Sequence, residues 1–375
     1  MKKRRVLLAF GTRPDAIKMC PLVNELKSRS DIDCRVLVTA QHREMLDSVL
    51  HLFAVRADYD LDIMQKGQTI TDITSRVLYG CGEIFEKEPP DIVLVHGDTT
   101  TSFAVALAAF YRKIPVGHVE AGLRTDNIYS PFPEEMNRRL TGRIASLHFA
   151  ATESNVRNLL IENVDQSGIF KTGNTVIDAL LSVSKPDYCF EDERLEEALH
   201  SGKKTILMTC HRRENWGEPM EQIFAAARRL IEDHPEVQLI FPMHLNPLVR
   251  ETAVKHLGGH RRILLMEPFD YEPMANIMKR SFFIMTDSGG IQEEAPAFGV
   301  PVMVLRTETE RPEAVEAGTV QVVGVEEEKI YQVGRRLIED PSYYERFHKA
   351  VNPYGDGKAS RRIAEALTRW LDERE

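Results

Sequence analysis

One pattern limits this chain more than any other. Short β-branched or apolar runs alternate with longer stretches of helical periodicity, and they do so in two successive series. In the first half, Val6–Phe10, Cys34–Thr39, Asp91–His96 and Pro115–Val119 read as strands, with helical spacing over Ala16–Lys27, His42–Phe53, Ile73–Glu86 and Ser102–Arg112. In the second, Thr205–Thr209, Gln238–Phe241, Ile263–Met266, Phe282–Thr286 and Val300–Val304 alternate with Met220–Glu232, Leu248–His256, Gly290–Phe298 and Lys329–Glu339. Strands that are apolar almost throughout, separated by helices, predict parallel sheets covered on both faces. The expected class is therefore α/β, with two Rossmann-like, doubly wound domains.

The break between them is expected near Thr172–Ser184, which gives domains over 1–172 and 173–354. The stretch Lys185–Gly202 is polar and without pattern. Residues 355–375 read as a closing helix that crosses back to the first domain. The turn Asn352-Pro353-Tyr354-Gly355-Asp356-Gly357 precedes it, and Ile363, Leu367, Trp370 and Leu371 fall on one face. A length of 375 residues, 43% apolar and 28% charged, suits two soluble domains with separate cores. Val6–Phe10 is too short for a signal-peptide core and leads straight into Gly11. The five cysteines have no metal-like spacing and read as reduced thiols of a cytoplasmic protein. A net charge of −9 argues against a general nucleic-acid binder but leaves room for a small anionic ligand.

In doubly wound folds ligands collect at the carboxyl ends of strands, and the unusual residues of this chain cluster there. Gly11-Thr12-Arg13-Pro14 follows the first strand, with Lys18 a helical turn on; both cations could face an anion at a helix start, or the segment is only a turn with solvated cations. His96-Gly97-Asp98-Thr99-Thr100-Thr101 follows the third, where Asp98 either lines a site or caps the next helix. Glu120 stands in Val119-Glu120-Ala121-Gly122 at the next strand end, where a buried carboxylate needs a partner; Arg124 is the plain candidate. Pro133-Glu134-Glu135 suits the first turn of a helix, where acids favour the macrodipole, more simply for Glu135 than for Glu134. In the second half His211-Arg212-Arg213 points to an anion site. Thr286-Asp287-Ser288-Gly289-Gly290 reads as a strand, a glycine turn and a helix start able to hold a diphosphate, with Glu294 a turn in. Arg311, just before Pro312, could be a second phosphate clamp. Together these predict a cleft with the two domains facing across it.

These motifs, in order from Phe10-Gly11-Thr12-Arg13-Pro14 to Asn352-Pro353-Tyr354-Gly355-Asp356-Gly357, resemble the non-hydrolysing bacterial UDP-N-acetylglucosamine 2-epimerases over nearly the whole chain. The resemblance implies a glycosyltransferase-B-like fold, a homodimer, a UDP-sugar substrate, no nicotinamide cofactor and no metal. It places Asp98, Glu120, Glu134 and His211 on catalytic positions. Arg13, Lys18, Ser288, Gly289, Gly290, Glu294 and Arg311 fall on UDP-binding positions. Gln41, His42, Arg43, Gln68 and His244 match parts of an allosteric UDP-N-acetylglucosamine site. Glu44 and Gly67 depart from that site's usual chemistry. Met274 stands where an aromatic often packs on uracil, and Thr307-Glu308 alters the segment before Thr309-Glu310-Arg311.

Overall fold

A computed structural model describes residues 3–39, 43–125 and 127–374. The chain forms two compact units, Met1–Ala179 with Tyr354–Glu375, and Leu180–Pro353. Their junctions lie at 179/180 and 353/354, where the sequence reading put breaks at 172/173 and 354/355.

The first unit holds a parallel sheet of β1 (Arg4–Phe10), β2 (Ile32–Val38), β3 (Tyr59–Asp60), β4 (Ile92–His96), β5 (Val116–Ala121), β6 (Leu147–Ala150) and β7 (Ile169–Lys171), in the order β3-β2-β1-β4-β5-β6-β7. The second holds β8 (Lys204–Thr209), β9 (Val237–Pro242), β10 (Ile263–Met266), β11 (Phe283–Thr286), β12 (Val302–Val304) and β13 (Val320–Val322), in the order β10-β9-β8-β11-β12-β13. Each order reverses once, between β1 and β4 and between β8 and β11. At such a switch point neighbouring loops leave in opposite directions and open a crevice beyond the strand ends. The loops rich in Gly, Asp, His and Arg leave those four strands.

Helices cover both sheets. Arg13–Lys27 starts on Thr12, whose hydroxyl accepts the Asp15 N–H, and buries Ala16, Met19, Cys20, Val23 and Leu26. The closing helix Ala359–Asp372 belongs to the first unit. Asp178 caps it by accepting the N–H groups of Ala359 (3.1 Å) and Ser360 (2.7 Å). Its face Ile363, Leu367 and Leu371 is buried, while Trp370 is only half-buried. The patternless reading of Lys185–Gly202 needs correction: Glu193–Leu199 is helical, started by the Asp192 carboxylate on the Arg194 and Leu195 N–H groups. Seven residues are too short a window for periodicity to register there. Among the described residues no helix is long and apolar enough to cross a membrane, and no three His, Cys, Asp or Glu side chains are grouped to hold a metal. All five cysteines are free.

Candidate active site

In the first unit the site starts at Gly11. A Cβ there would lie 2.1 Å from Thr39 Oγ1 and 2.6 Å from Thr101 Oγ1, so only glycine fits the turn. The helix that follows carries Arg13, half-buried at its first position, and Lys18.

Lys18 ion-pairs with Glu120. Glu120 is the most unusual backbone position of the site. It has φ 60° without being glycine, and the register of β5 against β6 shifts between Val119 and Ala121. A side chain in that region costs roughly 1–3 kcal/mol and persists only where its surroundings dictate it. The kink turns the carboxylate toward Lys18, Asn174 Nδ2 (2.9 Å) and His96 Nε2 (3.6 Å). It also brings Oε1 within 3.7 Å of where a Cβ on Gly97 would stand. Burial would raise its pKa, but the charges of Lys18 and then His96 prevail and hold it well below the usual carboxylate range. Pairing with Arg124 is corrected: Arg124 is committed to Glu162 at 2.7 and 2.9 Å.

Asp98 follows Gly97, which has φ 59°. Its alternative reading as a helix cap is also corrected. Thr99 is the cap of Thr100–Tyr111, accepting the Ser102 N–H, and the Asp98 carboxylate pairs instead with Arg138. Asn137 Nδ2 donates to the Asp98 carbonyl at 3.0 Å. Arg138 in turn meets Glu135 Oε2 at 3.1 Å. Glu135 is fully buried and accepts Thr125 N–H (3.0 Å) and Arg139 Nε (2.7 Å), so it clasps the helix instead of merely facing its dipole. Glu134 is half-buried at the first position of the helix Glu134–Ile144. It lies four residues before Arg138, hence on the same helix face.

In the second unit β8 ends before His211 and β11 before Asp287. Asp287 is fully buried. One of its oxygens accepts the N–H groups of His211 and Arg212, both at 2.8 Å, and Asn215 Nδ2 at 3.1 Å. The other faces His211 Nδ1 at 3.3 Å. That contact directs the imidazole's other nitrogen away from Asp287. Burial lowers the His211 pKa, with Asp287 opposing it. Ser288 precedes the short helix Gly289–Glu294. A Cβ on Gly289 would be 3.8 Å from an Arg212 nitrogen, 3.9 Å from Glu310 Oε2 and 4.0 Å from an Arg311 nitrogen, so two guanidinium groups and one carboxylate converge on this turn. Gly290 is exposed and Glu294 half-buried. Arg311 is anchored through Nε by buried Glu293.

The residues matched to an allosteric site do not gather in one unit. Gln41 and His42 lie outside the described residues. Arg43 is held by Asp60 (2.6 Å) and Asp62 (2.8 Å), and Gln68 accepts from Arg76 at 3.2 Å, all in the first unit. His244 belongs to the second unit and stacks on His211 with ring centroids 5.5 Å apart. Met274 is half-buried on the helix Tyr271–Arg280.

Sequence reasoning did not single out Asp15, His96, Arg138, Asn174 or Asp287. Arg138 was within reach, four residues after Glu134, and Asp287 lies inside Thr286-Asp287-Ser288-Gly289-Gly290. Asp15 and Asn174 gave no signal, because only the fold brings Asn174 to Glu120 and Asp15 to His96.

A family profile described as UDP-N-acetylglucosamine 2-epimerase matches residues 24–368. The chain belongs to the UDP-N-acetylglucosamine 2-epimerase family. It is 55% identical to the UDP-N-acetylglucosamine 2-epimerase of Bacillus subtilis over 98% of this chain and 96% of that protein. It is 52% identical to that of Escherichia coli K12, over 97% and 98%. The crystal structure of the Neisseria meningitidis UDP-GlcNAc 2-epimerase bound to UDP-GlcNAc superposes with a TM-score of 0.84 at 48% identity, covering 97% of this chain and all of that one. A kitacinnamycin glycotransferase matches with a TM-score of 0.67 at 12% identity, which supports the glycosyltransferase-like fold alone.

Proposed function

We propose that this member of the family inverts C2 of UDP-N-acetylglucosamine, giving UDP-N-acetylmannosamine, by eliminating UDP and adding it back. The C2 proton of an intact sugar is not acidic. If the C1–O bond to UDP breaks first or in concert, C2–H becomes far more acidic. A carboxylate takes the C2 proton, the C2–H electrons form the C1=C2 bond, and the C1–O electrons leave with UDP. The intermediate is 2-acetamidoglucal. A proton delivered to the other face of C2 and attack of the retained UDP oxygen on C1 complete the inversion.

The observation that carries this reading is the strained Glu120, ion-paired with Lys18, beside Gly97-Asp98 at the first switch point. A second carboxylate, Glu134, shares a helix face with the arginine that binds Asp98. Asp98 and Glu134 serve as the acid–base pair and Glu120 tunes them. In the second unit Ser288, Gly289, Gly290 and Arg311 hold the diphosphate, Glu294 the ribose, and His211 stabilises or protonates the departing UDP. Arg13 and Lys18 add positive charge near the phosphates. The chain acts as a cytoplasmic homodimer that supplies cell-surface polysaccharide synthesis, with no nicotinamide or metal. Incubation with UDP-N-acetylglucosamine alone in D2O tests the reaction. Deuterium at C2 of intact UDP-sugars is expected. Free N-acetylmannosamine would indicate a hydrolase, and unlabelled sugar a transferase or a sensor; each would overturn the reading.

A further inference from the structure

Behind Glu120 lies a second buried pair that the proposed reaction does not use. His96, the last residue of β4, faces Glu120 Oε2 with Nε2 at 3.6 Å and Asp15 Oδ1 with Nδ1 at 3.3 Å. The side chains of His96 and Asp15 are 4% and 5% exposed. The backbone of His96 is tied down as well: Ser102 Oγ donates to its carbonyl at 2.5 Å. A neutral imidazole carries one N–H and no charge; the doubly protonated ring donates to Asp15 through Nδ1 and also sets a positive charge against Glu120. Asp15 Oδ2 and His96 Nε2 are both buried without a hydrogen-bond partner among the described residues, so Nε2 meets Glu120 as a charge and not through a hydrogen bond. A half-satisfied buried carboxylate is costly. Its retention here is explained by the charge it places on the far side of the ring.

We propose that Asp15 and His96 are positioning residues, forming a buried carboxylate–imidazolium–carboxylate chain that keeps Glu120 ionised and aimed independently of Lys18. The inference rests on the epimerase reading for its consequence, though not for its geometry. Lys18 is a shared cation: on the proposed function it also serves the UDP phosphates, and a phosphate beside it weakens what it gives Glu120. The Asp15–His96 chain needs no contact with the substrate, so its support persists through turnover.

The groups facing His96 are Asp15 and Lys18 from the helix Arg13–Lys27, and Glu120 and His118 from β5. Burial holds the His118 imidazole down at about 3, so it adds no charge. Burial alone would lower His96 too, but the Glu120 charge and the Asp15 hydrogen bond outweigh it and raise its pKa to about 9.

Ring-nitrogen NMR of 15N-histidine protein, without ligand, tests the chain directly, with His96→Gln assigning the resonance. His96 is expected doubly protonated at neutral pH with a midpoint about 9. Asp15→Asn and, separately, Glu120→Gln should each lower the midpoint by about one unit or more, the usual effect of removing an opposite charge at this range. A neutral ring at neutral pH, or a midpoint indifferent to both substitutions, overturns the proposal. In turnover, Asp15→Asn and His96→Gln should lower kcat by about tenfold with KM little changed. The acid limb of the kcat profile should move to higher pH, because Glu120 then protonates more readily as pH falls. Asp15→Glu should restore part of kcat. A lower kcat with the wild-type pH profile would mean loss of packing only, and would also overturn it. The NMR arm needs no catalysis, so failure of the epimerase reading shows separately as wild-type protein that puts no deuterium on C2.

Discussion

The two units carry their candidate site residues on the same kind of loop, yet they pair their charges differently. In the first unit the ion pairs close inward. Arg138 is 5% exposed and joins Asp98 to the fully buried Glu135, while Glu120 is met by Lys18, His96 and Asn174. In the second unit Arg306 and Arg212 pair with Glu310, whose side chain is 53% exposed, and Arg306 also with the exposed Glu214. Arg311 is held from behind by Glu293. Inward pairs fix carboxylates in place, as groups that move protons require. The exposed partners of Arg212 and Arg306 are ones that water can replace, which suits a surface that must take up and release an anion, whereas Arg311 keeps a buried partner that fixes its position.

The largest test of that contrast is one of stability. Arg138→Met strands Asp98 and weakens the clasp on buried Glu135, and should cost about 3–5 kcal/mol, the scale for breaking a buried pair. Arg212→Ala removes a cation whose partner is largely in water, and should cost under about 1 kcal/mol. Denaturant titration of both variants measures the difference. Equal losses would dissolve the distinction between the units.

Next comes binding. Beyond its chain neighbours and its own helix backbone, the nearest atom to a Cβ added at Gly290 is Ser288 Oγ, at 3.9 Å. Gly290→Val should therefore fold normally and still obstruct a diphosphate. Arg311→Ala removes a charge-assisted contact worth about 1.5–3 kcal/mol, hence roughly ten- to hundredfold in UDP affinity. Calorimetry with UDP should record clear losses for both, and unchanged affinity would move the nucleotide away from this turn.

The smallest effect concerns regulation. Arg43 is already neutralised by Asp60 and Asp62, and Glu44 adds a negative charge beside it. Rim charges of this kind are worth about 1 kcal/mol or less. Activation by UDP-N-acetylglucosamine is accordingly expected to be weak or absent. Starting from pure UDP-N-acetylmannosamine, the reverse reaction should begin without a lag. A long lag removed by a trace of UDP-N-acetylglucosamine would show a working second site.

What the sequence revealed follows the same division. Long apolar strands with helices between them announced both sheets, and strand ends rich in Gly, Asp, His or Arg marked all four switch-point loops. The short elements Tyr59–Asp60, Ile169–Lys171 and Val320–Val322 were not read, because two or three residues carry no periodicity. In the site, Asp98, Glu120 and His211 stood out because polar groups directly after buried strands need a reason. Their partners did not. The nearest acid or base in sequence was the natural guess for Glu120, but Arg124 turns to Glu162 and Glu120 reaches Lys18, 102 positions away. Pairing over such separations is set by sheet order, which no local pattern encodes. The strain at Glu120 was equally invisible, since only the backbone shows a left-handed φ.

The central claim is that the first unit moves the proton while the second holds the nucleotide, and Asp98→Asn tests it on a single protein. Its rate of deuterium incorporation at C2 of UDP-N-acetylglucosamine in D2O and its Kd for UDP should be measured together. The account predicts that exchange falls by at least ~10²-fold, the scale of a positioned acid–base group, while UDP binding stays close to wild type. Near-wild-type exchange, or a loss of UDP affinity that matches the loss of exchange, would contradict it.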